Sequence, residues 1–300
     1  MRILLTGGSG DLGTLLTMDL IAAHHAVTVI DMQPPKIAGP AELLQFVHAS
    51  IMDRNTLART MQGMDIVVHI AAWHGIHEVN GSKTPAEFHD LNVTGTFNTL
   101  EAAAQAGVKK FVFISSTSIE DKYGVYGHTK VLNEEMCRAY AHRHGMNIVI
   151  LRPRAFIPGW NRAVYKNFIE WAAWFMKGAV HIDDVKQATL LAIDLLGKGM
   201  QLHGLAPAVD LDGAYEYTAA DMANWDIDGP GSTFARHYAG FVPLAEKHGL
   251  DIGRRPKILG TTAARALLNY EPRYSLKSLL QELETFGTAG PPPPYPEKAA

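Results

Sequence analysis

The stretch "RILLTGGSGDLGTLL" (residues 2–16) limits what this chain can fold into more than any other. A short apolar run ends at Thr6, glycines recur at 7, 8, 10 and 13, and an amphipathic segment follows. The frames Gly8-x-Gly10-x-x-Gly13 and Gly7-x-x-Gly10-x-x-Gly13 overlap there, which predicts a strand turning through glycines into a helix. Glycines at these places allow a tight turn, close backbone approach to a pyrophosphate, and tight helix-to-strand packing. The free N–H groups and dipole of the helix N-terminus then favour a phosphate. A glycine-rich turn without a ligand has the same local pattern, so a second feature is needed. Asp31 supplies it, ending the next apolar run "AVTVID" (26–31), where a carboxylate about 20 residues on accepts from adenosine ribose hydroxyls. It would also repel a 2′-phosphate, and no arginine adjoins it, so NAD is expected over NADP. The competing role for Asp31 is a strand-end cap. Asp11, among the glycines, suits a helix N-terminus only if its carboxylate turns away from the pyrophosphate.

Further apolar runs predict strands at 43–48, 65–71, 110–116 and 147–152. Helical periodicity lies between them, most clearly over Leu12–His24, Pro85–Ala106 and Tyr126–His144. This alternation predicts an α/β fold with a doubly wound parallel sheet of the Rossmann kind. After Arg152 the rhythm changes to a loop, an aromatic-rich helix in "NFIEWAAWF", an amphipathic helix in "HIDDVKQATLLAIDLL", and short Gly/Pro-punctuated pieces. The expected division is a cofactor-binding domain over 1–158, to which 179–200 returns, and a smaller substrate-binding region over 159–290. The remaining 291–300 reads as an extended Pro-rich tail.

Composition excludes several functions. A net charge of −3 without Lys/Arg clusters gives no footprint for nucleic acid. No apolar stretch approaches a membrane span. The start is too glycine-rich for a signal peptide, and a single cysteine, Cys137, rules out an internal disulfide framework, so a cytoplasmic location is expected. Cys137 itself reads as a small buried hydrophobe.

Taken together, "TGGSGDLG", "VVHIAA", "LNVTGTFNTLEAA", "FVFISS", "YGHTK", "ILRPRAFIPG", "HIDDV" and "ARALLNYEPRYSL" resemble the extended short-chain dehydrogenase/reductase family, also called the NAD-dependent epimerase/dehydratase family. Their order and spacing carry the resemblance over nearly the whole chain. It implies an NAD-dependent enzyme acting at a hydroxyl or keto carbon of a sugar or sugar derivative. It further implies Gly7, Gly10, Asp11, Leu12, Gly13, Asp31, Ala71, Ala72, Asn92 and Arg152 as cofactor-site residues, and Ser116, Tyr126 and Lys130 as the catalytic set, the last two also facing the cofactor. A homodimer through the two long helices is part of the same expectation.

Chemistry supports the "YGHTK" assignment independently. Tyr126 and Lys130 are four apart and project from one helix face. A phenol near its reference pKa of about 10 is a poor base at neutral pH, and a neighbouring ammonium stabilises the phenolate. Ser116 ends a strand at its carboxyl edge, where open α/β sheets bind ligands, although Ser115 or Thr117 are alternatives for the same role. Only nine residues separate Ser116 from Tyr126, "IED" (119–121) replaces an aromatic-containing turn, and Ala155 stands where the family has asparagine. These departures leave the redox centre intact and point to a differently shaped substrate pocket.

On the substrate side, His74 and His77 follow the fourth strand and are candidates for substrate hydrogen bonding. No carboxylate or cysteine completes a zinc set with them, so no metal is expected. Arg154 and Arg162 flank the exit of the sixth strand, where a guanidinium fork can grip a carboxylate or phosphate, or serve as surface charge. Trp160, Trp171 and Trp174 can stack on a sugar face, but helical spacing favours core for the last two. The small-molecule partner is expected to be a sugar, by 4-epimerase-like chemistry. A simple dehydrogenase of a small sugar or sugar acid, and a non-catalytic NAD sensor, are the alternatives.

Overall fold

The structure is a computed structural model and describes residues 1–295. It divides into two compact units, one of 1–153, 186–210 and Tyr295, the other of 154–185 and 211–294.

The first unit is built on strands β1 (Arg2–Thr6), β2 (Ala26–Asp31), β3 (Leu44–His48), β4 (Ile66–His69), β5 (Lys110–Ile114), β6 (Asn147–Pro153) and β7 (Ala208–Leu211). Their order is β3-β2-β1-β4-β5-β6-β7, with β1 through β6 paired in parallel. The order reverses between β1 and β4, so the carboxyl ends of those strands flank a crevice at the switch point. The central strands read as unbroken apolar runs because both faces are covered: Ile3, Leu4, Leu5, Ile66, Val67 and Val68 are fully buried. The flanking helices include α1 (Asp11–Ala22), α2 (Arg54–Thr60) and α3 (Ile76–Val79). After them come α4 (Pro85–Phe88), α5 (Gly95–Gln105) and α6 (Val125–His144). Cys137 is fully buried on α6, within the core against β5 and β6.

Two expectations are revised. The segment Pro85–Ala106 is not one α-helix, because residues 89–94 form a wider π turn between α4 and α5. The fourth strand stops at His69 because the N–H groups of Ile70 and Ala71 both donate to the Thr6 carbonyl, which takes the chain out of the ladder.

The second unit has its own aromatic core of Phe168, Trp171, Phe175, Phe234, Tyr238 and leucines of the helix Leu276–Phe286, with Trp174 packed against it. The Trp171 indole donates to the Ile157 carbonyl at 2.9 Å, so it serves as core and not as a sugar platform. His181 stacks on Tyr274 with ring centroids 3.9 Å apart, and buried Asp184 accepts the N–H groups of Arg273 and Tyr274.

Candidate active site

The glycine turn is shaped by contacts that no side chain would tolerate. Gly7 has φ +69°, and a Cβ there would lie 2.7 Å from the Ala71 nitrogen, so the turn rests directly on the chain leaving β4. At Gly13 a Cβ would lie 2.4 Å from the Gly8 Cα, which is how closely α1 seats on the turn. Gly10 is the N-cap of α1, with Leu12 and Gly13 in the first turn, and no side chain caps the free N–H groups there.

Asp31 holds the second edge of this turn. Its two carboxylate oxygens accept from the N–H groups of Ser9 (3.0 Å) and Gln33 (2.9 Å). Each oxygen keeps a lone pair for a ribose hydroxyl. Asp31→Ala is therefore expected to narrow the preference for NAD over NADP, measured by calorimetric titration with both dinucleotides. Equal or tighter NADP binding by the unaltered protein would contradict the assignment.

The chemistry-bearing residues converge at the carboxyl edge of β5. Ser116 accepts from the Ser118 N–H at 3.1 Å and donates to the Ser118 hydroxyl at 3.1 Å, and it lies near enough to the Tyr126 phenol to favour its ionisation. Ser115 donates to Glu134 at 2.7 Å. Lys130 is 3% exposed, and its ammonium donates to the Ile114 carbonyl at 2.8 Å while lying 5.0 Å from the Phe113 ring centre and 5.7 Å from that of Tyr126. Burial brings Lys130 down to about 8. Burial pushes the Tyr126 phenol up to about 12, against the opposing hydrogen bond from Ser116. The pair thus rests as phenol and ammonium at neutral pH, with the lysine near its own titration.

Several neighbours brace this centre. Asn92, in the π turn, accepts from the Trp73 N–H (2.8 Å) and donates to the Trp73 carbonyl (2.9 Å) and the Thr129 hydroxyl (3.1 Å). Its side chain therefore ties the loop after β4 to α6. Arg152 is engaged by Glu134 of α6 through two hydrogen bonds, at 2.8 and 2.5 Å. Both were expected to face cofactor; the contacts they make within the chain are with the loop after β4 and with α6. His69, fully enclosed between Thr6 (2.6 Å) and Thr96 (2.9 Å), is held neutral by burial, which takes it down to about 3.

Two residues went unnoticed in the sequence. Glu78, on α3, accepts the N–H groups of both Val125 (2.7 Å) and Tyr126 (2.9 Å) and so caps the first turn of α6 from outside. That helix has no side-chain cap of its own, since Gly124 precedes it. A carboxylate at a helix N-terminus is favourable both by hydrogen bonding and by the helix dipole. Gly75 lies against the Tyr126 ring, where an added Cβ would be 3.3 Å from the ring carbon Cδ1. The only hint in the sequence is that a Gly and a Glu lie three apart in the loop that follows β4.

His74 is exposed by surface area, yet desolvation by the surrounding atoms, then His77 and Lys130, take it down to about 4. It stands 4.7 Å from His77, ring centre to ring centre, while His77 contacts Ser82 and Trp73. Among the described residues no three His, Cys, Asp or Glu groups are placed to hold a metal. In the second unit, Arg154 contacts Asp212 (3.4 Å) and the Lys257 carbonyl, and Arg162 donates to the carbonyls of Gly159 (2.9 Å) and Ala289.

A parallel sheet with a glycine turn at its switch point, and a Ser–Tyr–Lys group beside it, defines a dinucleotide-dependent enzyme. The chain belongs to the NAD dependent epimerase/dehydratase family, whose model matches residues 3–169. It is 26% identical to "Uncharacterized protein y4nG" of Sinorhizobium fredii (strain NBRC 101917 / NGR234), over 93% of this chain and 76% of that one. It is 28% identical to the L-arabinose 1-dehydrogenase (NAD(P)(+)) of Haloferax volcanii, over 50% of this chain and 65% of that one. Among solved structures, a UDP-glucose 4-epimerase of Thermotoga maritima, crystallised with UDP-glucose, superposes with a TM-score of 0.68 at 22% identity. That superposition covers 94% of this chain and 96% of the other and establishes the common fold. No helix among the described residues is long and apolar enough to cross a membrane.

Proposed function

We propose that the protein is a 4-epimerase-like oxidoreductase, moving hydride at a hydroxyl/keto carbon of a sugar or sugar nucleotide. The observation that carries this reading is the Ser116–Tyr126–Lys130 group at the edge of β5, on the same side of the sheet as the glycine turn. NAD supplies the hydride acceptor. Ser116 orients the reacting hydroxyl by hydrogen bonding, Tyr126 takes its proton as the phenolate and returns it as the phenol, and the Lys130 ammonium stabilises the phenolate before the proton is taken and after it is returned. For an epimerase the keto sugar turns within the pocket before reduction from the other face. We place NAD on Gly7, Gly10, Leu12, Gly13, Asp31, Ala71 and Ala72, with Asn92 and Arg152 supporting that site through the contacts above. The loop bearing His74 and His77, and the second unit with Arg154 and Arg162, are the proposed substrate side. A cytoplasmic homodimer paired through α5 and α6 completes the proposal.

A simple dehydrogenase is the second reading, favoured by the short Ser116–Tyr126 segment and by the H. volcanii relative. Stoichiometry separates them. The epimerase reading expects NAD to remain bound through purification, and many sugar molecules to be interconverted per NAD without net NADH. A panel of sugars, sugar acids and nucleotide sugars, followed by absorbance and product analysis, reads this out. Cofactor-free protein accumulating one NADH per product would overturn the epimerase reading and establish the dehydrogenase.

A further inference from the structure

The glycine turn of this chain carries an anion where phosphate is to be bound. Asp11 is the first residue of the twelve-residue helix α1, so its carboxylate shares the positive helix end with the dinucleotide phosphates. Two anions at one helix end repel unless one of them is paired and turned aside.

The structure shows what pairs it. Lys36, five residues beyond Asp31 in the loop after β2, reaches the Asp11 Oδ1 at 2.5 Å. The phenol of Tyr295 donates to the same oxygen at 2.9 Å and accepts from Lys36 at 3.2 Å, and the ammonium lies 5.3 Å from the centre of its ring. Tyr295 follows four prolines at the far end of the chain, yet it is only 7% exposed. The Pro-rich segment expected to be a plain extended tail thus ends, at Tyr295, in a buried contact with the glycine turn; 296–300 lie outside the described residues. Tyr295 and Lys36 grip the carboxylate through one oxygen, Oδ1.

We propose that Tyr295 is a cofactor-site residue, which together with Lys36 holds the Asp11 carboxylate away from the phosphate-binding turn and thereby sets NAD affinity. The inference deepens the NAD reading and rests on it. Removing the phenol oxygen takes away one of the two contacts described on the Asp11 Oδ1, and removing the ring takes away the aromatic face beside Lys36 as well. One residual like-charge contact near the surface is worth roughly a factor of ten in affinity.

The test is NAD and NADH titration, by calorimetry and by nicotinamide fluorescence, on the full chain and on Tyr295→Phe, Tyr295→Ala and Asp11→Asn. Thermal melting of each protein without cofactor checks folding. The expected result is NAD binding weakened roughly threefold by Tyr295→Phe, with unchanged melting, and about tenfold by Tyr295→Ala, which melts lower but still cooperatively. In the Asp11→Asn background, where no anion needs holding, the Tyr295→Phe effect should shrink to less than about twofold, a coupling that simple loss of packing does not produce. Tyr295 variants binding NAD as well as or better than the parent, or weakened equally in both backgrounds, would overturn the proposal while leaving the NAD reading intact. A parent chain without affinity for NAD or NADH would overturn both.

Discussion

Replacing Tyr126 by phenylalanine should lower turnover by roughly 10²–10⁴-fold, the usual contribution of a positioned acid/base, while leaving NAD affinity within about threefold. The ring is held by Gly75 on one face and Glu78 at its backbone, neither of which involves the phenol oxygen, so phenylalanine should stand where tyrosine stood. What is lost is the hydroxyl whose ionisation Ser116 favours. The measurement is kcat on the substrate found in the stoichiometry screen, paired with calorimetric NAD binding. A variant with near-normal kcat would remove Tyr126 from the chemistry, and one that loses NAD would show a different role.

Lys130→Met should abolish turnover and at the same time stabilise the protein at neutral pH. Burial lowers Lys130 from the ordinary 10.5 to about 8, so folding at pH 7 carries the cost of enclosing a charge. The displacement corresponds to about 3 kcal/mol as an upper limit. The sign follows from proton counts. Between about pH 8 and 10.5 the unfolded chain holds a proton at Lys130 that the folded chain has released, so folded stability gains as pH rises through that window. Below pH 8 both states are protonated and the full cost is present. The advantage of Lys130→Met should therefore be largest at pH 7 and shrink from pH 8 towards 10, where tyrosine ionisation begins to intervene. Denaturant melts of both proteins at pH 7 and pH 9.5 give the comparison. A methionine variant less stable than the parent at pH 7 would mean that the bond to the Ile114 carbonyl outweighs the buried charge.

How legible the molecule was depended on how local its causes are. The strands were readable because a doubly covered parallel sheet forces continuous apolar runs, as in "RILLT" and "NIVILR". The turn was readable because Gly7 and Gly13 lie where a side chain would collide with backbone. The contact of Ser115 with Glu134 was visible only in three dimensions, because the two lie 19 residues apart. Glu78 and Tyr295 were hidden for another reason: their partners lie 47–48 and 284 residues away, beyond any periodicity. Asp11 was legible as a difficulty, while its contacts with Lys36 and Tyr295 were not. Asn92 and Arg152 could be placed near the site from their motifs, while their partners Trp73, Thr129 and Glu134 required the packed structure.

The wide turn at residues 89–94 works as a phase adjuster. Phe88, Asn92 and Thr96, all buried, follow one another at intervals of four. In an α-helix two such intervals would carry the third residue roughly 80° around the axis from the first. A turn containing more residues absorbs that drift, so an apolar anchor, an amide brace and a hydroxyl stay aligned on one seam. The turn also changes which carbonyls bond along the helix, and the Asn92 carbonyl accepts from the Thr96 hydroxyl at 2.5 Å. Losing a single residue here would act like a one-place slip in a strand. Phe88 could keep its pocket or Asn92 its grip on Trp73 and Thr129, but the seam could no longer satisfy both.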